Sequence, residues 1–390
     1  MQPFMYYNPT KLLFGKDQIN QLSNEIGKYG RKILLVYGGG SIKRNGVYEK
    51  ITYELKKANV EWVELMGVAS NPKLSTVRRG IDICKREKID FILAVGGGSV
   101  IDCTKAIVVG AKTEADVWNI ICRKTRAIDG IPYGSIVTLA GTGAELSLSA
   151  VISNEETKEK RAFVSSFSRA KFSIVDPTLM ISVPKKHTIN GVVDTMSHLL
   201  EHYFHHGNNT NIQDEFLEAA LRNVATTGTK LLQDLSNESY RETIAYASSI
   251  ALSDQMNMGF VGDWGTHHIE HALSAVHDIP HGGGMAILFP KWMEYVLDDE
   301  NVSRFKRFAV NVFGVDPSGK SDKQVAQEGI ESLANLWKEW GAPSSLEHYD
   351  IHDDKTFSLI AHKTMETAPN CGNFRRLQKD DVLQILQKSL

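Results

Sequence analysis

The sequence contains no apolar run approaching the ~20 residues that a membrane-spanning helix requires. Its four cysteines, Cys84, Cys103, Cys122 and Cys371, are scattered and form no CxxC pair. That excludes a disulfide scaffold or a cysteine-rich zinc module and suits free thiols in a reducing compartment. Charge of one sign is missing too. A net charge of −2 leaves no footprint for nucleic acid or an anionic membrane surface. The opening MQPFMYYNPTKLLFG has no basic stretch followed by an apolar one, so no signal peptide is expected. No GxGxxG loop, low-complexity tract or internal repeat of fixed period is present. These absences predict a soluble, cytoplasmic, globular protein with neither nucleic-acid nor membrane partners.

At 390 residues the chain is long enough for two or three domains. To about residue 180, short β-forming runs alternate with amphipathic stretches: KILLVYGGG, then VYEKITYELKKAN, STVRRGIDICKREK, DFILAVGGGS and VIDCTKAIVVGA. Strand, glycine turn and helix in alternation predict a parallel sheet with covering helices. GSIVTLAGTGAE adds a strand and turn, AVISNEETKEKRAFVSS a hairpin, and KFSIVDPTL a last strand. Beyond Pro184 the β-branched runs nearly vanish. QDEFLEAALRNVATTGTKLLQDL, SYRETIAYASSIALSDQM, VSRFKRFAVNVF and VAQEGIESLANLWKEWG are helix-periodic. The expectation is an α/β, Rossmann-like domain over residues 1–183 and an all-α domain over 184–390.

The richest chemistry lies in GVVDTMSHLLEHYF and THHIEHALSAVHDIPHGGG. If the first stretch is helical, Asp194 and His198 share a face at i and i+4. His267 and His271 have the same spacing on a second candidate helix, and His281 lies in the Pro-Gly-rich segment after it. One carboxylate with several imidazoles suits iron, zinc or nickel as the divalent ion. Asp194, His198 and His202 along one helix climb about 12 Å and do not converge, whereas two ligands from one helix and two from elsewhere close a four-ligand site. HHIEH lacks the glutamate placement of HExxH, which excludes a zincin protease.

Two glycine clusters follow strands. Gly38, Gly39, Gly40 and Ser41 permit close backbone approach to an anion. Gly96, Gly97, Gly98 and Ser99 are sharper, because they precede a helix with Asp102 and Lys105 in its opening turns, and a helix N-terminus suits a pyrophosphate. Thr138 and Thr142, in TLAGTGAE, lie at another strand end, where α/β proteins bind ligands.

Taken in order, NPTKLLFG, GGGSVIDCTK, GTGAE, GVVDTMSHLLEHY and HHIEHALSAVHDIPHGGGMAILFP resemble the iron-containing (group III) alcohol dehydrogenases over nearly the whole chain, and within them the butanol dehydrogenase and aldehyde reductase branch. The resemblance implies a dehydroquinate synthase-like fold with the nicotinamide cofactor on the N-terminal domain, the metal on the C-terminal one and catalysis in the cleft between. It implies Asp194, His198, His267 and His281 as metal ligands, with His271 near the substrate rather than ligating. It further implies cofactor contacts at Gly96 to Ser99 and Asp102, and at Asn71, Thr138, Thr142, Val151, Lys160, Leu179 and Val183. A homodimer acting on small alcohols and aldehydes such as butanol and butanal is implied as well. Glycerol dehydrogenase-like enzymes and dehydroquinate synthase-like lyases share the fold and are the alternative readings. Two departures stand out. Gly39 occupies the place of the aspartate that takes the ribose hydroxyls in NAD-specific members, and AGTGAE replaces the commoner PATGSE. With Ser41, Lys43 and Arg44 close by, the missing carboxylate predicts NADP(H) over NAD(H), NAD remaining acceptable.

Overall fold

A computed structural model describes residues 1–390. The strands are β1 (Lys11–Phe14), β2 (Lys32–Tyr37), β3 (Glu61–Leu65), β4 (Phe91–Gly96), β5 (Tyr133–Val137), β6 (Ser149–Asn154), β7 (Glu159–Val164) and β8 (Phe172–Val175). Six of them form one parallel sheet in the order β1-β8-β5-β4-β2-β3, and β6 and β7 form a separate antiparallel hairpin.

KILLVY and FILAVG are continuous apolar runs because both faces of their strands are covered. Ile33, Leu35 and Tyr37 join Phe91, Leu93 and Val95 in one core, together with Val47, Ile51 and Leu55 of the helix Val47–Lys57. The alternate residues Leu34, Val36, Ile92 and Ala94 join the other core, with Leu74, Val77 and Ile81 of the helix Leu74–Glu87 and with Ile101 and Ala106 of the helix Gly98–Gly110. This is the two-residue period of a strand buried on both sides. After β2 the chain runs outward to β3, and after β4 it runs to the opposite side. The carboxyl ends of β2 and β4 therefore flank the switch in strand order, where open α/β sheets bind ligands. Both glycine clusters lie at those ends.

From Lys185 onward every regular element is helical. Lys185–Tyr203, Gly265–His277 and His281–Val296 carry the histidines; Asn211–Gln233, Val302–Phe313 and Asp322–Trp340 are further long helices of this part. Its interior is filled by large side chains such as Phe204, Phe289, Trp292 and Trp337, each essentially inaccessible to solvent.

The chain divides into two compact units, and the division departs from a single cut at 183/184 in two places. One unit comprises Tyr7–Pro184 and Asp234–Ser253, the other Met1–Tyr6, Lys185–Gln233 and Asp254–Leu390. SYRETIAYASSIALSDQM forms the expected helix, Glu238–Ala251, but it packs with the α/β unit. Its hydroxyls explain this. Ser248 Oγ accepts from Gly141 N at 2.6 Å, and Ser249 Oγ donates to Glu145 at 2.5 Å. In the opposite sense Met1–Tyr6 joins the helical unit, with Gln2 N bonded to Gly259 O at 2.8 Å.

Candidate functional site

Three side chains of the helical unit converge. The ligating atoms of Asp194, His267 and His281 lie within 4.8 Å of one another. Asp194 comes from the helix Lys185–Tyr203, His267 from Gly265–His277, and His281 opens the helix His281–Val296. That last helix begins earlier than the run HGGG suggests, since the sequence reads there as a Pro-Gly-rich segment. The glycines are required by packing. A Cβ on Gly282 would stand 2.2 Å from Asn190 O, and one on Gly283 would stand 1.9 Å from the Tyr349 hydroxyl. Only a helix bare on that face brings His281 this close to the Asp194 helix.

Both His267 Nε2 and Asp194 Oδ1 are buried without a hydrogen-bond partner, an arrangement that native proteins avoid unless another group satisfies those atoms. Asp194 Oδ1 lies 3.2 Å from His198 Nδ1 and 3.5 Å from His281 Nε2. Burial opposes the Asp194 carboxylate, but the imidazoles of His198 and His281 outweigh it and hold its pKa below the ordinary value. His267 is driven well below its ordinary pKa, by burial first and then by His198, His281 and His271. A neutral imidazole beside a carboxylate is the protonation state that ligates a divalent metal. The residues present therefore fit such an ion.

His198 stands outside the converging set. Its ring centroid is 4.7 Å from that of His267, and its Nδ1 turns back to the Asp194 main-chain oxygen at 2.9 Å. That bond leaves Nε2 as the nitrogen for an ion. His271 groups instead with Glu270 and His281. Its ring lies 6.2 Å from His267 and 5.8 Å from His281, and 9 % of the residue is exposed. The remaining nearby histidines lie apart. His205 pairs with Asp214 at 2.9 Å, His206 bonds to Phe374 O at 2.8 Å, and His202 is buried edge-on to Trp264.

Two carboxylates behind the histidines escaped sequence reasoning. Glu201, fully buried, accepts from His267 Nδ1 at 2.7 Å, from His267 N at 3.0 Å, and from Trp264 N. Glu270, also fully buried, bonds His281 Nδ1 and Ser274 Oγ. Each fixes a ring so that Nε2 faces Asp194, which is the usual way a protein orients metal-binding imidazoles. Burial, then the neighbouring Asp263, pushes the Glu201 pKa well up, and a cation on the far side of His267 is what would favour its ionised form. The available signal was spacing: Asp194, His198 and Glu201 follow i, i+4, i+7 on one buried helical stripe.

In the α/β unit the glycine turn at β4 is enclosed by residues from several loops. The helix Gly98–Gly110 starts with an extended N-cap at Gly97. A Cβ on Gly98 would meet Thr142 Oγ1 at 2.3 Å, so the threonine of the AGTGAE turn sits directly on the glycine loop. Thr138 N bonds Gly96 O at 3.0 Å. Asp102 Oδ2 accepts from Val151 N at 2.9 Å, Ser99 Oγ donates to Ser70 O, and Lys160 Nζ donates to Asn71 Oδ1 at 3.0 Å. Asn71, Gly96, Gly97, Gly98, Ser99, Asp102, Thr138, Thr142, Val151 and Lys160 are thus linked around one strand end. Leu179 is packed among the core residues behind the sheet, and Val183 is partly buried, its carbonyl accepting from Arg241. At the end of β2, a Cβ on Gly39 would meet nothing within 4 Å, and Gly40 takes φ +86° to start the short helix Ser41–Arg44.

A glycine-walled turn at the switch point of a parallel sheet, together with a carboxylate–histidine centre on a helical unit, defines a nucleotide- and metal-dependent enzyme. The chain belongs to the iron-containing alcohol dehydrogenase family, whose two descriptions match residues 9–177 and 188–390. It is an oxidoreductase of the alcohol dehydrogenase class, using a nicotinamide cofactor and a divalent metal. It is 52% identical over 390 residues, the full length of both proteins, to a probable NADH-dependent butanol dehydrogenase of Bacillus subtilis. It is 33% identical to an NADPH-dependent aldehyde reductase of Escherichia coli, with 92% of each chain covered. Among solved structures, an NADH-dependent butanol dehydrogenase A of Thermotoga maritima is similar with a TM-score of 0.95 at 38% identity, over 100% of this chain and 99% of the other.

Proposed function

We propose that the chain interconverts small primary alcohols and aldehydes of about the size of butanol and butanal, with NAD(H) or NADP(H) as hydride carrier. The observation that carries the reading is the pair of buried, unpartnered atoms His267 Nε2 and Asp194 Oδ1, converging with His281. Asp194, His198, His267 and His281 would hold the divalent ion, iron or zinc, nickel also being compatible with the donors. When bound, such an ion supplies positive charge against the negative charge that develops on the substrate oxygen, worth several kcal/mol. Glu201 and Glu270 hold the tautomers of His267 and His281. His271 supplies an imidazole nitrogen for the proton that the substrate oxygen takes up on reduction. Gly96 to Ser99, with Asn71, Asp102, Thr138, Thr142, Val151 and Lys160, would receive the dinucleotide, assisted by Gly38 to Ser41 and the backbone near Leu179 and Val183.

The preference between the two cofactors rests on charge at the end of β2. Lys43 Nζ lies 3.0 Å from Glu64 Oε2 and over the rings of Tyr37 and Tyr48 at 5.2 and 4.6 Å, while both tyrosine hydroxyls also bond Glu64. Its charge is therefore already matched, which weakens the case for NADP(H) drawn from Gly39, Ser41, Lys43 and Arg44. We propose that NAD(H) is at least an equal partner, in line with the cofactor named for the B. subtilis relative.

No disulfide joins the four cysteines, which fits a cytoplasmic enzyme, and no helix is long and apolar enough to cross a membrane. The free outer edge of β1 and exposed Phe4, Met5 and Tyr7 support a homodimer, which sedimentation would test. The activity is tested with protein purified without added metal. Net oxidation of NADH or NADPH by butanal, abolished by chelation and restored by one divalent ion per chain, is the expected outcome. Butanal-independent turnover, or activity indifferent to chelator, would refute it.

A further inference from the structure

The turn that joins the helix Lys185–Tyr203 to the helix Asn211–Gln233 closes on a buried imidazole, His205. The ring is stacked on Phe260, with centroids 3.8 Å apart and planes 17° from parallel. Its Nδ1 accepts from Gly207 N at 2.8 Å, and its Nε2 stands 2.9 Å from Asp214 Oδ1. A main-chain N–H can only donate and a carboxylate can only accept. The tautomer is therefore fixed, with the proton on Nε2 and the lone pair on Nδ1. Arg304 Nη2 lies 2.8 Å from the same Nε2, but it donates to Asp214 Oδ1 at 2.7 Å and to Tyr203 O. Gly207 leaves the turn no slack: a Cβ there would meet Phe260 Cβ at 2.8 Å and His205 Nδ1 at 3.0 Å.

The charges around this ring are already matched. Asp214 and Glu218, both buried on the helix Asn211–Gln233, face Arg304 and Arg307 of the helix Val302–Phe313. Arg307 Nε donates to Glu218 Oε1 at 2.5 Å, and its Nη1 lies 3.5 Å from Asp214 Oδ2. The Tyr203 hydroxyl and Asn311 Nδ2 also bond Glu218, at 3.1 and 3.0 Å. Burial is the main reason that the His205 pKa lies below its ordinary value; Asp214 opposes the shift, while Arg304 and the neighbouring His206 add to it. A proton arriving at Nδ1 finds the Gly207 amide in its place. It also leaves an unmatched positive charge where water does not reach, which a folded protein avoids at considerable cost. We propose that His205 is an acid-sensitive latch: on taking up a proton at Nδ1 it gives up the Gly207 amide and releases the turn 204–210 from Phe260, and the turn closes again when the proton is lost. The ring is neutral while latched and regains an ordinary pKa of about 6.5 once free. The closed turn is therefore fully favoured above about pH 6.5 and loses ground as the pH falls below it.

The test is hydrogen–deuterium exchange of the metal-loaded protein at pH 7 and pH 5, corrected for the intrinsic exchange rate and read on peptides covering 204–210. His205→Asn is compared with the wild type, because asparagine keeps an acceptor for the Gly207 amide but cannot take up a proton. Linkage of opening to one histidine proton allows the opening constant to rise at most about twenty-fivefold between these pH values. In the wild type it should rise roughly fivefold or more and return to its starting value at pH 7, while in His205→Asn the rise should be absent. A smaller wild-type rise would overturn the proposal. So would an equal rise in His205→Asn, which would place the titrating group elsewhere, for instance at His206. If His205→Asn does not fold, the wild type decides alone. Acid-induced exchange confined to 204–210 supports the latch, and exchange that rises equally along the helix Lys185–Tyr203, as loss of the metal would cause, overturns it.

Discussion

Replacing Glu201 by glutamine isolates what a buried carboxylate does for a metal-binding histidine. Glu201 takes three N–H donors at once, His267 Nδ1 and His267 N on one oxygen and Trp264 N on the other. Glutamine keeps the size but has a single acceptor oxygen. Whichever way its amide turns, an NH2 group faces either Trp264 N–H or the two donors of His267. At least one charge-assisted hydrogen bond is lost, worth about 1.5–3 kcal/mol, in a site where neither group reaches water. If the amide oxygen stays on Trp264, His267 is also pushed toward the tautomer that puts a proton on Nε2, the nitrogen needed for the ion. At about 1.4 kcal/mol per tenfold, the loss corresponds to a drop in metal affinity on the order of ten- to a hundredfold, the range expected when the partner of a ligating histidine is removed. The assay is competition between protein and a chelator of known affinity, with circular dichroism to show that the helices persist. A folded Glu201→Gln protein that holds its metal as tightly as the wild type would refute the reasoning.

Other consequences are equally direct. His271→Asn should lower turnover and change its pH dependence while metal content stays stoichiometric; loss of the metal would instead mark His271 as a ligand. Gly39→Asp enters open space, so it should fold normally and raise the KM for NADPH far more than that for NADH, and equal changes for both would show that this strand end does not read the 2′-phosphate. Gly282→Ala forces a methyl against Asn190 O and should cost roughly 1–3 kcal/mol of stability together with metal affinity, measured by thermal unfolding and metal titration. The Asp214 pKa is raised by burial but lowered further by His205 and Arg304, leaving it net depressed. Its contribution to stability is therefore complete above the unfolded carboxylate pKa of about 4 and is lost as acid brings the pH down through the folded value. Asp214→Asn should accordingly flatten the acid limb of the unfolding curve.

The central strands were legible because β2 and β4 are buried on both faces and read as unbroken apolar runs. The edge strands β1 and β3 were not, because KLLF and EWVEL place charged residues among half-exposed positions. Periodicity revealed the helix Glu238–Ala251 but not its allegiance, since a face of alanine and serine does not say which turn it will meet. Asp194 with His198 and His267 with His271 were visible as i, i+4 pairs, yet spacing alone left open which imidazoles converge. Tertiary packing supplies that answer, through the glycines that bring His281 to the Asp194 helix. Glu201 and Glu270 were hidden because a glutamate inside a helix reads as a solvated residue until its burial is known.

Anomalous scattering from crystals of protein loaded with a single divalent metal locates the ion itself. A peak should appear with one atom each of Asp194, His198, His267 and His281 at about 2.0–2.3 Å, as N and O ligands require. A peak instead among Glu270, His271 and His281, the alternative cluster of this unit, or away from these residues altogether, would contradict the account.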